Sequence, residues 1–592
     1  MVLPEAARSW VRPAARWIEP SMDPLSADVL SKELGIHRLA AAVLVQRGYC
    51  DPQAAGNFLS PRLDSLHDPL LMRDMSTAAS RLQAAMQARE RVLLYGDYDV
   101  DGTSSIVILK KAIEILGGHA DFHIPHRLKD GYGMRSEVIR QAAETGVRLI
   151  VSVDTGIRAN EVVRYANDLK IDVIVTDHHL PEVELPSAVA VLNPNRPDCS
   201  YPNKDLCGAG VTFKLVHALL AASGMAVSRQ NSLLDSFLKP VAIATVADVV
   251  ALTGENRAIV QRGLSGLRQV RNPGMRALLS VAGFDDGECP SAHQVAFRLA
   301  PRINAAGRMA TAYDVIELFL TEDFDRARSL AEQLDGLNQE RQQTEAEIVD
   351  EILQQCESGF SPDEFAALVF TGDNWHLGVL GIVASRLVEQ LSRPVFVLSD
   401  AEPVDGQRHL AGSGRSIAGF HLLEALESMP DLFRKFGGHR QAAGLTLPAH
   451  HAEEFRRRFN EYAIGRLTSD DLRPQHAVDA AASFSELNDR CVEHVRALGP
   501  FGCGNPTPTF LSKAAEVAGP AKALKEGKHF RVPIRHDGRL LFCNAWNYGA
   551  REELFQRGRK LDLLFQIEDD PVARKRGYGS WALSIKDVRP IE

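Results

Sequence analysis

The chain has 592 residues, of which 45% are hydrophobic and 24% charged, an ordinary composition for a globular protein. One hydrophobic core does not extend over this length, so we expect about two to four domains. The net charge is −9, so any nucleic-acid binding would depend on a local basic surface. The absence of a long apolar run or a signal-peptide core, with eight scattered cysteines, predicts a cytoplasmic protein that neither crosses a membrane nor contains structural disulfides.

Residues 1–60 are the first predicted region, a helical segment in which apolar residues recur at helical spacing from about residue 30 to residue 59. From residue 91, short apolar runs alternate with amphipathic stretches. The predicted strands cover residues 92–94, 149–153, 172–176 and 189–192, and predicted helices cover residues 104–116 and 162–169. This alternation predicts βαβ units and a mostly parallel sheet in a domain over residues 61–270.

A long helix is predicted from residue 322 to residue 357, because leucines and isoleucines recur every three or four residues without a proline. It would span roughly 50 Å at a rise of 1.5 Å per residue. The strongly polar residues 339–343 favour a connector between two lobes over a helix in the core of one domain. We therefore predict a helical connector over residues 271–360.

Strand and helix patterns over residues 361–462 predict a second, smaller α/β domain. Short strands follow at residues 529–532, 540–543, 561–566 and 581–585, and they predict a β-barrel of the OB type over residues 463–592. The predicted fold class is therefore α/β: a parallel-sheet domain is joined by a long helix to a smaller α/β domain, and a C-terminal OB-type β-barrel follows.

Four acidic clusters lie at the ends of predicted strands in the first α/β domain. Their acidic and histidine members are Asp97, Asp99, Asp101, Asp154, Asp177, His178, His179 and Asp248. The carboxyl ends of the strands in an open parallel sheet form its ligand-binding edge, so the first three clusters would converge there. Extended backbone would place Asp97, Asp99 and Asp101 on one face, where a divalent cation would offset their mutual repulsion.

This donor set favours Mn²⁺ or Mg²⁺, because carboxylates with one or two imidazoles suit these ions better than a thiolate site would. Two ions about 3.5–4 Å apart, bridged by a carboxylate, can hold both the attacking water and the leaving oxygen of a displacement at phosphorus. For Asp154 alone, a helix N-cap is the alternative. The run of residues 97–102 also resembles the start of a calcium loop, but Ile108 stands where that loop needs its glutamate.

The motifs around these residues resemble a known family. The Asp-His-His triplet at residues 177–179, with DYDVDG at residues 97–102 and SVDTG at residues 152–156, resembles the DHH phosphoesterase superfamily. Residues 124–133 and 301–308 narrow the resemblance to the RecJ exonucleases. The resemblance extends over nearly the whole chain, from about residue 39.

The resemblance implies a set of metal ligands. These are Asp97, Asp99, Asp101, Asp154, His178 and Asp248. Asp154 would bridge the two ions. Asp97 would bind or support the first ion, because Tyr95 stands where many relatives carry a histidine.

The resemblance also implies a catalytic group of Asp154, Asp177 and His179. Asp177 would orient a neighbouring group, and His179 would face the scissile phosphate. Arg127 and Arg302 would contact the 5′-phosphate end of the DNA strand, although the residues alone favour a surface salt bridge for each.

Two glycine-rich segments, residues 410–416 and 436–444, resemble the DHHA1 domain of the same family. Glycine amides and an arginine fork suit phosphate binding, whereas a tight turn is the alternative for either segment alone. The complete set of implied substrate-binding residues is Arg127, Arg302, Asn304, Arg308, Ser413, Arg415, Gly437, Gly438 and His439.

The function implied by the resemblance is a single-stranded-DNA-specific 5′→3′ exonuclease of DNA recombination and repair, which releases 5′-mononucleotides with two divalent ions, Mn²⁺ or Mg²⁺. The implied partners are single-stranded DNA, single-strand-binding protein and a RecQ-type helicase, and a monomer is expected. One alternative is a DHH phosphatase for pyrophosphate or a cyclic dinucleotide, against which the barrel and the connector argue. Another is a non-catalytic DNA-binding protein of a replication complex, against which the complete acidic set argues.

A basic segment lies in the last predicted domain. It contains Lys522, Lys525, Lys528, His529, Arg531, Arg535 and residues 574–576, with Tyr578 and Trp581 nearby. Cations near aromatic rings suit single strands, but a solvated hairpin tip is an equal alternative, and Phe530 and Trp546 could both belong to the core. Cys503, in the glycine-rich turn at residues 501–504, is predicted to be a small buried residue.

Overall fold

The computed structural model of the protein describes residues 14–20, 24–61, 66–127, 130–131, 133–357, 364–570 and 580–591. The chain divides into two units. Unit 1 comprises Met1–Gly56, Gln342–Leu498 and Thr507–Glu592, and unit 2 comprises Asn57–Arg341 and Gly499–Pro506. A late segment, residues 499–506, therefore belongs to the unit that the first half of the chain otherwise forms. The predicted domain boundaries at residues 60, 270, 360 and 462 remain predictions.

Helices and strands alternate through much of the described chain. The strands are β1 (Arg16–Ile18), β2 (Arg91–Tyr95), β3 (Ala120–His123), β4 (Val147–Val153), β5 (Asp172–Thr176), β6 (Ala190–Leu192), β7 (Leu368–Gly372), β8 (Val395–Val404), β9 (Gln407–Arg415), β10 (Lys435–Gly438), β11 (Ala442–Pro448), β12 (Gln475–Ala477), β13 (Ala480–Ala481), β14 (Phe510–Val517), β15 (Lys522–Leu524), β16 (His529–His536), β17 (Arg539–Ala545), β18 (Lys560–Asp569) and β19 (Trp581–Pro590). The helices are α1 (Pro24–Leu34), α2 (Arg38–Gln46), α3 (Pro52–Leu59), α4 (Met75–Ala88), α5 (Val100–Ile115), α6 (Ser136–Glu144), α7 (Asn160–Asp168), α8 (Gly208–Ala222), α9 (Val227–Ala247), α10 (Gly254–Gly266), α11 (Pro273–Val281), α12 (Ala292–Gln294), α13 (Ala300–Met309), α14 (Tyr313–Leu320), α15 (Phe324–Glu357), α16 (Leu380–Leu391), α17 (Leu422–Glu427), α18 (Ala452–Ile464) and α19 (Asp489–Arg496).

A five-stranded sheet forms the centre of unit 2. Its order is β3-β2-β4-β5-β6, and every neighbouring pair is parallel. Successive residues of β2 pack on opposite faces: Leu94 lies in a core with Ile108 of α5, whereas Leu93 lies in a core with Val163 of α7. Helices cover both faces, as the continuous apolar strands require. The predicted parallel-sheet domain is confirmed.

Unit 1 contains a mixed sheet and a barrel. The mixed sheet has the order β10-β11-β9-β8-β7, in which only β7 and β8 run parallel. Phe396 of β8 packs edge-on against Phe455 and Phe459 of α18. In the barrel, β14, β18, β19, β17 and β16 close into a ring, because β16 also pairs with β14. This five-stranded ring confirms the predicted OB-type barrel.

The long helix α15 extends from Phe324 to Glu357 and confirms the predicted helix. Its first half buries Leu330 and Leu334 in the core of unit 2, and Ile348 and Ile352 are buried further along. Arg341 ends the first segment of unit 2, so the boundary between the units falls within this helix. Among the described residues, no helix combines the length and the apolar character that a membrane crossing requires.

The loop after β2 differs from the predicted extended backbone. Helix α5 begins at Val100, and Asp99 is its N-cap, with a side chain that accepts hydrogen bonds from the amides of Asp101 and Gly102 at 2.9 and 3.0 Å. Asp101 therefore lies in the first turn of a helix. The prediction that a period of two aligns Asp97, Asp99 and Asp101 was wrong, because N-capping ends the extended region at β2.

Candidate metal centre and substrate-binding surfaces

The predicted acidic residues meet at the carboxyl edge of the parallel sheet. Asp97 and Asp99 follow β2, Asp154 follows β4, and residues 177–179 follow β5. Asp248 joins them from the end of α9, where it is the C-cap, so the prediction that this residue follows a strand was wrong: the apolar run before it is helical. Since parallel strands present their carboxyl ends at one edge, the order β2-β4-β5 brings these loops together.

Three overlapping groups in this cluster have ligand atoms within 4.8 Å of one another. The groups are Asp97, Asp99 and Asp154; Asp101, His178 and Asp248; and Asp154, His178 and His179. The first two groups share no residue. The cluster therefore offers two separate positions for a cation, and the third group lies between them.

Asp154 and His178 connect the two positions. Asp154 Oδ1 lies 3.3 Å from His178 Nε2, and the same nitrogen lies 3.8 Å from Asp101 Oδ2. The other ring nitrogen, His178 Nδ1, lies 3.7 Å from Asp248 Oδ2. Asp154 is also a non-glycine residue with a φ of +60°, a costly conformation that persists where the surrounding structure imposes it.

The beginning of α8 holds Asp101 and Asp154 in place. The amides of Gly208 and Ala209 donate to the two oxygens of Asp101 at 2.6 and 2.7 Å, so a helix N-terminus supports this carboxylate. A Cβ on Gly208 would lie 2.5 Å from Asp154 Oδ1. Sequence reasoning missed this element, although the Cys-Gly-Ala-Gly run at the start of this apolar helix is a visible signal.

Burial disfavours the charged form of the carboxylates in this cluster. It raises the pKa of Asp97 and Asp154 well above the usual range, and the neighbouring carboxylates raise both further. Burial likewise raises the pKa of Asp101, and it raises that of Asp248 to about 9 with a contribution from Asp101. The protein alone therefore does not provide enough hydrogen bonds or positive charge to stabilise the charged carboxylates.

The donors fit a hard divalent cation. Asp97 Oδ1 and Asp248 Oδ2 are buried and accept no hydrogen bond from any described residue. The thiol of the nearby Cys207 belongs to none of the three ligand groups, and burial raises its pKa well above its usual value. Carboxylates and imidazole match Mn²⁺ or Mg²⁺, and such ions would supply the missing positive charge.

Asp177 is placed to orient His179. Its Oδ1 lies 2.7 Å from His179 Nδ1, and the same carboxylate accepts the amides of His178, His179 and Ile157. Burial alone would lower the pKa of His179, but the hydrogen bond and charge of Asp177 raise it overall. For Asp177, burial raises the pKa, but its hydrogen bonds and the charge of His179 outweigh this effect and hold the pKa below its usual value.

Tyr95 is the last residue of β2, two positions before Asp97. It is fully buried, and its hydroxyl donates to the carbonyl of Gly133 at 3.3 Å. Asp97, two residues later, belongs to one of the three ligand groups. The guanidinium of Arg127 lies over the ring of Tyr98, 4.8 Å from its centroid, and its charge lowers the pKa of Asp97 against the larger effect of burial.

Helix α13 carries the other predicted substrate-binding residues of unit 2. Asn304 accepts the amide of Val100 at 3.1 Å, which fixes α13 against the loop that bears Asp99. Arg302 forms an ion pair with Asp335 at 2.8 Å, so the salt bridge that its sequence alone favoured is present. Burial raises the pKa of Tyr98 to about 12, and the charge of the nearby Arg308 opposes this rise.

The remaining predicted substrate-binding residues lie together in the mixed sheet of unit 1. Ser413 and Arg415 lie on β9, and Gly437 and Gly438 on β10, with β11 between them. Gly444 of β11 pairs with both Ser413 and Gly437, so these three positions form one row across the sheet. His439 begins the turn after β10, and its amide donates to the carbonyl of Ala442. The two glycine-rich segments are therefore neighbours.

The basic segment lies on strands β15 and β16 and the turn between them. Lys522 pairs across the strands with Arg531, whose guanidinium lies 5.4 Å from the ring centroid of Phe542. His529 packs edge-on against Trp546. Phe530 is buried, as expected of a core residue, but Trp546 is 40% exposed, which corrects its assignment to the core. Residues 574–576 and Tyr578 lie outside the described residues.

Fold and site together define the DHH class of proteins. Family models match the DHH family N-terminal domain at residues 91–245, the DHHA1 domain at residues 364–465 and the RecJ OB domain at residues 478–587. The single-stranded-DNA-specific exonuclease RecJ of Dickeya dadantii is 40% identical over 552 residues, which cover 90% of this chain and 93% of that relative. The chain belongs to the RecJ family.

Solved structures agree with this assignment. RecJ from Thermus thermophilus in complex with Mn²⁺ matches with a TM-score of 0.83 and 30% identity, covering 98% of this chain and 80% of that one. The Mg²⁺ complex of the same protein matches with a TM-score of 0.76 and 29% identity, covering 98% and 79%. Relatives of this fold thus bind either of the two ions that the donor set favours.

Proposed function

We propose that this protein is a single-stranded-DNA-specific exonuclease of recombination and repair, which removes nucleotides from the 5′ end and releases 5′-mononucleotides. The observation that carries the proposal is the pair of separate ligand groups at one edge of the parallel sheet. Membership of the RecJ family supports single-stranded DNA as the substrate. The direction and the product follow from the resemblance to that family.

Two divalent ions, Mn²⁺ or Mg²⁺, complete the site in this proposal. Asp97, Asp99 and Asp154 would hold one ion, and Asp101, His178 and Asp248 the other, with Asp154 next to both because it also contacts His178. When bound, the ions supply Lewis acidity, which favours both the attacking water and the leaving 3′-oxygen.

Asp177 and His179 would act on the phosphate. The hydrogen bond from Nδ1 to Asp177 fixes the ring of His179 and keeps a proton on that nitrogen. The raised pKa of His179 favours the imidazolium, which can donate a charge-assisted hydrogen bond to a phosphate oxygen. His179 would therefore offset charge that develops on phosphorus, and Asp177 would be its positioning residue.

Each unit would supply its own contacts with single-stranded DNA. In unit 2, the proposed contacts are Arg127, Arg302, Asn304 and Arg308. In unit 1, Ser413 and Arg415 would contact the 5′-phosphate end, as would Arg127 and Arg302 of unit 2. Gly437, Gly438 and His439 would contact substrate phosphates, and the mixed sheet brings them into the neighbourhood of Ser413 and Arg415. The exposed cations and rings of the barrel would bind the following nucleotides through phosphate pairing and base stacking.

We further propose a cytoplasmic monomer that cooperates with single-strand-binding protein and a RecQ-type helicase, as the family resemblance implies. The same resemblance supports domains over residues 1–60, 61–270, 271–360, 361–462 and 463–592. A phosphatase for a small substrate would not need the five-stranded barrel with its basic and aromatic surface. A non-catalytic role would not require six buried or half-buried ligands.

Digestion of end-labelled single strands tests the proposal. One oligonucleotide carries a 5′ label and the other a 3′ label, and each is incubated with Mn²⁺, Mg²⁺ or a chelator. We expect immediate release of the 5′ label as a mononucleotide with either ion, retention of the 3′ label in long products, and no cleavage with the chelator. Early release of the 3′ label, or cleavage without metal, would contradict the proposal.

A further inference from the structure

Asp248 is held differently from Asp99 and Asp101. The carboxylate of Asp101 accepts two amides of α8, and that of Asp99 caps α5. Asp248 Oδ2, in contrast, accepts no hydrogen bond from any described residue, and it lies 3.7 Å from His178 Nδ1. The position of this carboxylate therefore depends mainly on the backbone that carries it.

That backbone is a short and strained link between two helices. Asp248 is the C-cap of α9, and Thr253 is the N-cap of α10. Val249, between them, has a φ of +59°, a conformation that a β-branched residue rarely adopts. Such a conformation persists only when neighbouring structure imposes it, so the link needs external support.

The support comes from residues 499–506, which we call the late loop. The carbonyl of Cys503 accepts the amide of Leu252 at 2.8 Å. The loop itself is closed by paired backbone hydrogen bonds between Gly502 and Asn505, and the buried side chain of Asn505 donates to the carbonyl of Pro500 at 2.8 Å. The late loop is thus a preformed turn that joins the link by a backbone hydrogen bond.

Close packing adds to this hydrogen bond. A Cβ on Gly502 would lie 2.7 Å from the side chain of Leu252, and a Cβ on Gly504 would lie 2.9 Å from Cβ of Ala251. Gly504 also has a φ of +68°. The side chain of Cys503 is exposed, which corrects the prediction of a small buried residue; its carbonyl, not its thiol, makes the contact.

We propose that the late loop is a positioning element for Asp248 and sets the affinity of the cation that Asp248 binds. The inference rests on the proposed two-ion site. It adds that one cation position depends on the late loop, which lies outside the DHH match at residues 91–245. The late loop contacts Ala251 and Leu252, three and four residues after Asp248, although it lies about 250 residues later in the chain. In this proposal, the contact completes the second cation position. The first position, formed by Asp97, Asp99 and Asp154, does not depend on it.

Calorimetric titration of the full chain with Mn²⁺ tests the inference without using activity. Gly504→Ala places a methyl group against Ala251, so the link must shift. Gly224→Ala is the matched control, because Gly224 has a φ of +71° in the same unit but nothing within 4 Å of its Cβ position. We expect two Mn²⁺ sites in wild type and in the control. In Gly504→Ala, we expect one site to weaken by about 10- to 100-fold and the other to remain unchanged.

A second-site change separates positioning from general destabilisation. Ala251→Gly removes the methyl group that the new side chain of Gly504→Ala would meet. We expect the double variant to recover most of the Mn²⁺ affinity, although the strain of a positive φ at residue 504 remains. A purely structural loop would lower the melting temperature without this selective, reversible loss of one site.

The outcomes distinguish the inference from the proposed function. Two Mn²⁺ sites of unchanged affinity in Gly504→Ala would overturn the positioning role and leave the two-ion site intact. Equal weakening of both sites, or no recovery in the double variant, would also overturn it. A wild-type chain that binds no Mn²⁺ would instead contradict the proposed function itself.

Discussion

The metal centre of unit 2 and the barrel surface of unit 1 carry side chains of opposite charge, although both are proposed to bind the same DNA strand. At the metal centre, buried carboxylates have raised pKa values and repel both one another and a phosphate. On the barrel, the half-buried Arg531 lies beside the exposed ring of Phe542 and pairs with Asp570, and the exposed Lys522 lies opposite it on β15. The first region needs bound cations to reverse its charge, whereas the second can bind DNA directly. We therefore expect substitutions to abolish function at the first region and to reduce it gradually at the second.

The largest effect is expected for Asp154→Asn. It removes a charge from the residue that lies next to both cation positions, so cleavage should fall by at least about 10³-fold. Single-strand affinity in a chelator, measured by fluorescence anisotropy, should stay within about twofold of wild type. A variant that cleaves at a normal rate would show that the metal site is assigned incorrectly.

The same substitution should stabilise the metal-free protein. Asp154 is surrounded by Asp101, Asp99, Asp97 and Asp248, whose charges add to the cost of its burial. Removing its charge should raise the melting temperature in a chelator, because the substitution relieves both the repulsion and the cost of burying that charge. Mn²⁺ should stabilise wild type and have little effect on the variant. A lower metal-free melting temperature for Asp154→Asn would contradict the picture of an uncompensated acidic cluster.

A smaller effect is expected for Asp177→Asn. The substitution weakens the hydrogen bond that orients His179 but leaves the proposed ligands in place. We expect kcat to fall by about 10- to 100-fold, with Mn²⁺ affinity by calorimetry close to that of wild type. The same calorimetry provides the control. Loss of Mn²⁺ binding would instead place Asp177 among the groups that support the ions.

The smallest effect is expected on the barrel, for Trp546→Ala. Loss of one stacking ring should raise KM for a long single strand by about tenfold and leave kcat unchanged. Phe324→Ala is a matched control, because Phe324 is also an exposed aromatic residue but begins α15 and lies outside the barrel. An equal change in KM for both variants would contradict the proposal that the barrel binds the strand.

Most of the fold was predictable because its local signals agree with one another. Apolar runs bounded by turns matched β2, β4, β5 and β6, and the leucine spacing matched α15. Much of the acidic cluster was predictable for the same reason, since Asp97, Asp99, Asp154 and residues 177–179 follow these strands. Asp248 is an exception, because it ends helix α9 and not a strand. The extended geometry of Asp97 to Asp101 was wrong, because a capping interaction of Asp99 competes with the strand period and prevails.

Contacts between distant segments were not predictable in this way. The support of Asp101 by the amides of α8 and the contact of Cys503 with Leu252 join residues far apart in the chain. The exposure of Trp546 likewise depends on how the barrel closes, because its ring lies beside His529 on a neighbouring strand. Nothing in the local pattern of these segments indicates their partners.

The sequence by itself therefore determined the parallel sheet, the long helix, the barrel and the identity of the acidic and histidine residues, since each is encoded in neighbouring residues whose spacing sets strand, helix or turn. The tertiary structure alone decided which carboxylates share a cation position, which lack a hydrogen bond and which segment supports them. Burial and like charge arise only when separate loops meet at the sheet edge, and they turn a set of acidic residues into a site that requires metal.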